Sequence, residues 1–259
     1  MTLSDVKCFL LDMDGTFYLG GQLIEGSLEF IEKVRATGRD FMFLTNNSSH
    51  NANFYVEKLR RMGLETDRSH ILTSGEATCE KLHELYPGKT AFVLGNEYLV
   101  EEFHEAGIPV EMENPEIVVI GFDTTLDYGK MQAVCDFVRA GLPYIATHPD
   151  FNCPTETGFM PDIGAIMAFI EASTGRRPDL IVGKPHTGIV EAVLKRTGLK
   201  VGELAMVGDR LYTDIETGLR SGMLSILVMS GETTEAMLAE SQTKPDLKFG
   251  RLSDMIPLL

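Results

Sequence analysis

The stretch Phe9-Leu10-Leu11-Asp12-Met13-Asp14-Gly15-Thr16 runs from apolar residues directly into two carboxylates and a glycine. The apolar part predicts a short buried strand. Because sites in open α/β sheets lie beyond the carboxyl ends of the strands, we expect Asp12 and Asp14 at that edge. Two carboxylates so close together repel each other unless a cation or a proton lies between them. The alternative interpretation is a plain Asp-Gly turn at the end of a strand.

Three further apolar segments end in groups that can bind an anion or a metal ion: Thr45-Asn46-Asn47 after residues 41–44, Gly183-Lys184 after 180–182, and Gly208-Asp209 after 204–207, with Asp214 beyond it. We expect these ends to meet Asp12 at one sheet edge. Aspartates are hard oxygen ligands that suit Mg²⁺ and leave room for phosphate oxygens. Lys184 and the Thr45 hydroxyl are donors for such oxygens. The loop after residue 44 offers an anion cradle or, alternatively, simple helix capping. Together these groups suit phosphoryl transfer.

The size and charge of the chain limit what it can bind. Its 259 residues suffice for one large domain or two smaller ones, and 44% hydrophobic residues are ordinary for a globular protein. A formal net charge of -15 argues against a nucleic-acid or anionic-membrane binder, because phosphate groups repel such a surface. A small phosphorylated substrate remains compatible, since a local cation and a few donors can overcome the global field.

The cysteines and the N-terminal segment indicate a cytoplasmic protein. None of the 4 cysteines lies in a CxxC pair or has the spacing of zinc ligands, so a reducing compartment is expected. The N-terminal segment lacks the basic region and apolar core of a signal peptide. No apolar run approaches the ~18 residues of a spanning helix.

Residues from about 75 to 178 continue the alternation of strands and helices, and so predict a second α/β unit with its own sheet. Within it, residues 109–111 are expected to add a short strand, and the segment from His148 to Asp162 to form a long polar loop. Outside it, we expect Ser27 to cap a helix over 28–37. The tail from Gly231 is expected to be polar, with one short terminal helix.

The motif set resembles that of the haloacid dehalogenase superfamily of phosphatases over essentially the whole chain. Its four motifs match, in order, Asp12-Met13-Asp14-Gly15-Thr16, Thr45, Lys184, and Gly208-Asp209 with Asp214. The neighbouring residues are similar to the type IIA subfamily, which includes p-nitrophenyl phosphatase-like proteins and nucleotide monophosphatases. The resemblance implies an α/β fold with a Rossmann-like parallel-sheet core and an inserted α/β cap domain. The core would comprise residues 1–74 and 179–259, and the cap residues 75–178.

The resemblance also implies a role for each matched residue. Asp12 would be the nucleophile that forms an aspartyl-phosphate, and Asp14 would protonate the leaving oxygen and then activate water. The phosphate- or substrate-binding residues would be Thr45, Asn46, Asn47 and Lys184. The ligands of Mg²⁺ would be Asp12, the backbone carbonyl of Asp14, and Asp209. Asp214 would orient metal-bound water or Lys184.

Substrate choice would lie in the cap, where the loop from His148 to Asp162 would point toward the leaving group. His148 could stack on the substrate or hydrogen-bond to it, or it could be a surface histidine at a strand end. Asp150 could bind a substrate hydroxyl, or cap a turn before Phe151. A homo-oligomer formed through the cap is left open.

These features predict a Mg²⁺-dependent hydrolase of a small cytoplasmic phosphomonoester, such as a nucleotide monophosphate, a sugar phosphate or an aryl phosphate. Neither a nucleic acid nor a membrane is expected as a partner. One alternative is a phosphomutase on the same core, although the α/β pattern of the insertion speaks against it. The other is a non-catalytic ligand-binding protein, which the complete set of catalytic groups argues against.

Overall fold

A computed structural model describes residues 2–155 and 158–259. Met1, which belongs to the predicted core, and Glu156 and Thr157, which belong to the predicted loop, lie outside the described residues. The chain divides into two compact units. The first unit contains the residues up to Thr45, Tyr55–Leu72 and Lys184–Leu259, and the second contains Asn46–Phe54 and Thr73–Gly183. The cap assignment and its boundaries remain a prediction.

The strands alternate with helices along the chain, as the sequence predicts. In chain order the strands are β1 (Cys8–Leu11), β2 (Tyr18–Leu19), β3 (Gln22–Leu23), β4 (Asp40–Thr45), β5 (Ile71–Thr73), β6 (Ala91–Leu94), β7 (Ile117–Ile120), β8 (Tyr144–Ala146), β9 (Asn152–Thr155), β10 (Gly158–Pro161), β11 (Leu180–Ile181), β12 (Leu204–Gly208), β13 (Leu224–Val228) and β14 (Leu247–Phe249).

The helices are mostly about three turns long. They are α1 (Ser27–Ala36), α2 (Ala52–Arg61), α3 (Ser74–Leu85), α4 (Glu97–Glu105), α5 (Tyr128–Arg139), α6 (Ile163–Thr174), α7 (Gly188–Thr197), α8 (Glu216–Ser221) and α9 (Glu235–Glu240). Short turns of 3₁₀ helix and one π turn, over Leu211–Ile215, complete the described elements. In the described part of the chain, no helix has both the length and the apolar character needed to cross a membrane.

The first unit is built on a six-stranded sheet in the order β14-β13-β12-β1-β4-β5. The pairings of β1 with β12 and β4, and of β13 with β12 and β14, are parallel. All four residues of β1 are buried, as expected for a central parallel strand covered on both faces. The chain leaves β1 toward β4 on one side and reaches β12 on the other. The carboxyl end of β1 is therefore a topological switch point, where such folds place their ligands.

Helix α1 begins differently from the prediction. Its N-terminal flanking residue is Gly26 in the left-handed conformation, with φ 82°. The Ser27 hydroxyl instead donates to the backbone oxygen of Phe17 at 2.9 Å. A bulkier residue at 26 would be strained, because its Cβ would lie 2.3 Å from Cβ of Ser253. Ser27 therefore ties the helix to the loop after β1 rather than capping it.

The second unit has its own parallel sheet, in the order β11-β8-β7-β6. The side chains of its buried core come from both the sheet and the helices α5 and α6, and include Phe92, Val118, Val138, Tyr144 and Ile170. The predicted strand over 109–111 is reduced to one bridge between Ala91 and Val110. The predicted second α/β sheet is thus present, with β11 as its fourth strand instead of residues 109–111.

Two segments predicted to be irregular or polar contain regular structure. β9 and β10 pair antiparallel within the predicted loop from His148 to Asp162. Their residues are mostly exposed, so the hydrophobic alternation that would reveal strands is missing. The tail after Gly231 adds α9 and then β14, which forms the edge of the core sheet. The prediction of only a short terminal helix in the tail is therefore wrong.

The strand before Lys184 belongs to a different sheet from the one expected. β11 pairs with β8 in the second unit, with Leu180 opposite Ile145. The expectation that Lys184 follows a strand of the same sheet as Asp12 is therefore wrong. A two-residue strand carries no sequence signal that distinguishes one sheet from the other.

Candidate active site

Asp12 lies where the central strand of the first unit ends. Its backbone N–H donates to the oxygen of Val207 at 2.9 Å, so the ladder between β1 and β12 continues to this residue. Thr45 is the last residue of β4, and Asp209 directly follows β12. Because β4 and β12 flank β1, the sheet brings the ends of three strands together, as the sequence predicts.

Lys184 joins this edge through its side chain, which is 2% exposed. Its Nζ donates to Oδ1 of Asp12 at 2.5 Å and to Oδ1 of Asp214 at 2.7 Å. The backbone oxygen of Leu44 accepts a third bond at 3.2 Å. Burial lowers the pKa of Lys184, but the two carboxylates outweigh burial and raise it above its usual value. The side chain therefore stays a buried ammonium ion.

Three carboxylates converge at the same place. One oxygen from each of Asp12, Asp209 and Asp214 lies within 4.8 Å of the others. Burial raises the pKa of Asp12 to about 6, against the opposing effect of Lys184. Burial, with the charges of Asp12 and Asp214, raises the pKa of Asp209 to about 8. Such a cluster holds a proton or takes up a cation, because like charges out of water repel strongly.

Asp214 uses both of its oxygens within the protein. Oδ1 accepts from Lys184, and Oδ2 accepts from the backbone N–H of Arg210 at 3.1 Å. Gly208 makes room for it, since a Cβ there would lie 2.2 Å from Cγ of Asp214. These contacts indicate that Asp214 orients Lys184, and they argue against Asp214 as a direct metal ligand.

Asp14 is more exposed than the other carboxylates of this edge. Partial burial raises its pKa, and the positive charges of Lys58 and then Arg210 limit the rise. The Lys58 ammonium lies 3.8 Å from the centroid of the Tyr18 ring, in a cation–π contact. Tyr18 in turn bridges to Asp14 through the backbone. An exposed acid beside a cation can exchange protons with solvent and substrate.

Sequence reasoning missed the residues that follow β13. Ser230, Gly231, Glu232 and Thr233 all contact Asp209 or the loop of Gly15. Gly231, Glu232 and Thr233 belong to the predicted polar tail, and no motif residue stands among the four. The signal was available nonetheless, since β13 neighbours β12 and its carboxyl end must reach the same edge.

The second unit holds the other predicted binding residues. Asn46 Nδ2 donates to Oδ2 of Asp150 at 3.1 Å, and the Asn46 backbone oxygen accepts from Ser74 Oγ at 2.5 Å. Asn47 Oδ1 accepts from the backbone N–H and the hydroxyl of Ser49, at 2.9 and 2.7 Å. Asn47 thus organises its own turn, and Asp150 is held by Asn46. Their contact with a substrate remains a prediction.

His148 is fully buried, so the alternative of a surface histidine is wrong. Its Nε2 lies 3.1 Å from Oδ1 of Asp162, and its Nδ1 lies 3.0 Å from the Thr147 hydroxyl. Asp162 also accepts from the N–H of Ile163 at 2.6 Å and so caps α6. His148, Asp150 and Asp162 form a second cluster, whose ligand-type atoms lie within 4.8 Å. In this cluster His148 holds the helix cap, and a substrate contact by His148 remains a prediction.

A parallel α/β sheet with aspartates beyond its central strands and a buried lysine among them is an arrangement suited to phosphoryl transfer. The chain belongs to the haloacid dehalogenase-like hydrolases: the family model of that description matches residues 9–109, and a second HAD-hydrolase-like model matches residues 181–255.

Particular relatives cover nearly the whole chain. The acid sugar phosphatase of Staphylococcus aureus (strain MRSA252) is 35% identical over 255 residues, which are 98% of each protein. The solved structure of a 4-nitrophenylphosphatase from Thermotoga maritima superposes with a TM-score of 0.96 and 47% identity, over 98% of both chains. A glycerol phosphate phosphatase from Mycobacterium tuberculosis, solved in complex with calcium, has a TM-score of 0.91 and 27% identity over 99% of this chain and 77% of its own.

Proposed function

We propose that this chain hydrolyses small phosphomonoesters with the help of Mg²⁺. The observation that carries the proposal is the buried contact of Lys184 with Asp12 and Asp214, beside the carboxylate of Asp209. Phosphoryl transfer depends mainly on positioning and on neutralising the charge of the transferred group. The fixed ammonium ion of Lys184 and the oxygen ligands around Asp12 supply both the positioning and the charge neutralisation.

The donor set fits a divalent cation. Carboxylate and carbonyl oxygens are the ligands that Mg²⁺ prefers. Burial raises the pKa of Asp12 and of Asp209, so a bound cation would favour the ionised form of both carboxylates. Asp12, Asp209 and the backbone carbonyl of Asp14 would hold the ion, which when bound neutralises charge on the phosphoryl oxygens. The calcium in the glycerol phosphate phosphatase supports a divalent metal in this family.

The mechanism uses Asp12 as the nucleophile. A carboxylate oxygen of Asp12 forms a bond to phosphorus while the bond from phosphorus to the leaving oxygen breaks, and Asp14 gives its proton to that oxygen. Asp14 then takes a proton from water, whose oxygen attacks phosphorus and releases inorganic phosphate and the Asp12 carboxylate. Lys184 and the Thr45 hydroxyl hold the phosphoryl oxygens through these steps.

The substrate is a small phosphorylated metabolite. The names of the three relatives specify a sugar phosphate, a nitrophenyl phosphate and glycerol phosphate, and each is a phosphomonoester with a small leaving group. The groups of the first unit act on the phosphoryl unit, which all phosphomonoesters share. Recognition of the leaving group must come from other residues, and Asp150, which is half-buried and held by Asn46, is our candidate.

The test is phosphate release from a panel of sugar phosphates, glycerol phosphate, nucleoside monophosphates and p-nitrophenyl phosphate. EDTA should abolish release and added Mg²⁺ should restore it. Asp12→Asn should lower kcat by at least about a thousandfold, as other nucleophile deletions do. Asp136→Asn, at an exposed position of α5, is the matched control and should behave as wild type. Beryllium fluoride should also bind wild type, but not Asp12→Asn, as a phosphate mimic.

Three outcomes would contradict the proposal. Full activity in the presence of EDTA would exclude the metal assignment. Near-normal turnover by Asp12→Asn would exclude the covalent mechanism. Exchange of phosphate between positions of a sugar, without release, would identify a phosphomutase instead.

A further inference from the structure

The four residues Ser230-Gly231-Glu232-Thr233, here called the 230–233 segment, enclose Asp209. Thr233 Oγ1 donates to the backbone oxygen of Asp209 at 2.5 Å, and the Glu232 N–H donates to Asp209 Oδ2 at 2.6 Å. From the other side, Thr16 Oγ1 donates to Asp209 Oδ1 at 3.4 Å. The backbone oxygen and both carboxylate oxygens of Asp209 therefore each have a defined donor.

Two glycines pack their backbones against the same carboxylate. A Cβ at Gly231 would lie 2.0 Å from Oδ2 of Asp209, and a Cβ at Gly15 would lie 2.5 Å from the same atom. The Ser230 hydroxyl donates to the backbone oxygen of Gly15 at 2.8 Å, which ties these two walls together. The carboxylate of Asp209 thus lies in a narrow slot between Gly15 and Gly231, and a side chain at either position would fill that slot.

The segment is itself anchored. Thr233 is buried. The Glu232 carboxylate forms an ion pair with Arg210 at 3.0 Å and accepts from the Tyr212 hydroxyl at 3.1 Å. Because Ser230 and Glu232 are held by other groups, the segment cannot turn away from Asp209 without breaking those contacts.

We infer that the 230–233 segment positions Asp209 for a divalent cation and that Thr233 is its principal positioning residue. The inference rests on the proposed metal site. A carboxylate has about four lone-pair positions, so one donor on each oxygen leaves a free lone pair on each for the ion. Groups that orient a ligand in this way strengthen metal binding without touching the metal. In this arrangement the Thr233 hydroxyl fixes the backbone oxygen of Asp209, and the Glu232 N–H fixes its carboxylate.

The test is a calorimetric titration of the substrate-free protein with Mg²⁺ or Mn²⁺. Thr233→Val keeps the shape of the side chain and removes the hydroxyl. We expect it to raise the Kd for the metal by about 10–100-fold. The metal concentration for half-maximal activity should rise in parallel, while kcat at saturating metal changes much less. Thr233→Ser restores the hydroxyl and should restore the affinity.

Thr234→Val is the matched control. The Thr234 hydroxyl caps α9 by accepting from the N–H of Met237 at 3.3 Å, and it is not among the donors described above for Asp209. Thr234→Val should therefore lower thermal stability and leave metal affinity unchanged. Wild-type affinity in Thr233→Val, or an equal loss in both valine variants, would overturn the inference. A wild-type protein that binds metal but releases no phosphate would overturn the proposed function and leave the inference standing.

Discussion

Replacing Lys184 with methionine would remove the ammonium ion between Asp12 and Asp214 and keep most of the apolar stem. Lys184 is 2% exposed and Asp214 is 0% exposed, so the carboxylates would face each other largely out of water. Removing one partner of a buried ion pair costs about 3–5 kcal/mol. Since 1 kcal/mol corresponds to about 2–4 °C in a chain of this size, we expect the Tm to fall by roughly 6–20 °C. Scanning calorimetry in EDTA measures this without interference from bound metal.

Two further variants test whether the loss of the Lys184 charge causes the fall in Tm. Lys195→Met changes an exposed lysine of α7 and should shift stability by less than about 0.5 kcal/mol. Lys184→Met combined with Asp214→Asn removes the surplus charge and should recover part of the lost Tm, although activity stays absent. If Lys184→Met lowers the Tm no more than Lys195→Met does, the site is not held together by this charge pair. Failure of the double variant to recover would show that unpaired charge is not the cause.

Three further predictions concern pH, His148 and Asp150. Because the folded protein raises the pKa of Asp12 to about 6 and of Asp209 to about 8, the native state keeps protons that the unfolded chain releases near pH 4. The Tm in EDTA should therefore fall as pH rises from about 4 to 8. This fall should be smaller with Mg²⁺ or in the Asp209→Asn variant. A Tm in EDTA that is independent of pH would contradict this prediction. His148→Ala should mainly lower the Tm, because it leaves a buried cavity and removes the imidazole partner of Asp162. An unchanged Tm would show that the His148 ring does not stabilise Asp162 as the N-terminal cap of α6. Asp150→Ala should change the ranking of substrates by roughly tenfold, about 1.4 kcal/mol, with less effect on p-nitrophenyl phosphate, and equal scaling of all substrates would refute a role in recognition.

The sequence was sufficient for the centre of the core and for the carboxylates at its edge. Strand β1 is a continuous apolar run that ends in a carboxylate, and β12 has the same pattern before Asp209. Buried parallel strands must be apolar on both faces, so their ends are visible in the sequence. The roles of Asp12, Asp14 and Asp209 in chemistry remain predictions that the experiments above address.

The rest of the fold lacked such a pattern. β9 and β10 are exposed and contain prolines, and their pairing depends on contact with each other rather than on a buried face. The buried His148 contacts Asp162, the N-terminal cap of α6, which lies fourteen residues away in sequence. The 230–233 segment contacts Asp209 through the Thr233 hydroxyl, a backbone N–H and the packing of Gly231, and the residue types alone do not identify Asp209 as their partner. Sequence patterns report burial well, but they do not report which donor meets which acceptor.

The division of the first unit into three segments has a consequence for how the protein is made. Cys8 of β1 pairs with Leu204 of β12, so the central strand lacks one neighbour until nearly the whole chain has been synthesised. At about 5–20 residues per second, the ribosome needs about 10–40 s to cover that interval. The long segment Thr73–Gly183 leaves the ribosome during this wait, with its own sheet already complete in sequence. During translation, the nascent chain would therefore carry an apolar strand with one open edge, which is a binding target for chaperones.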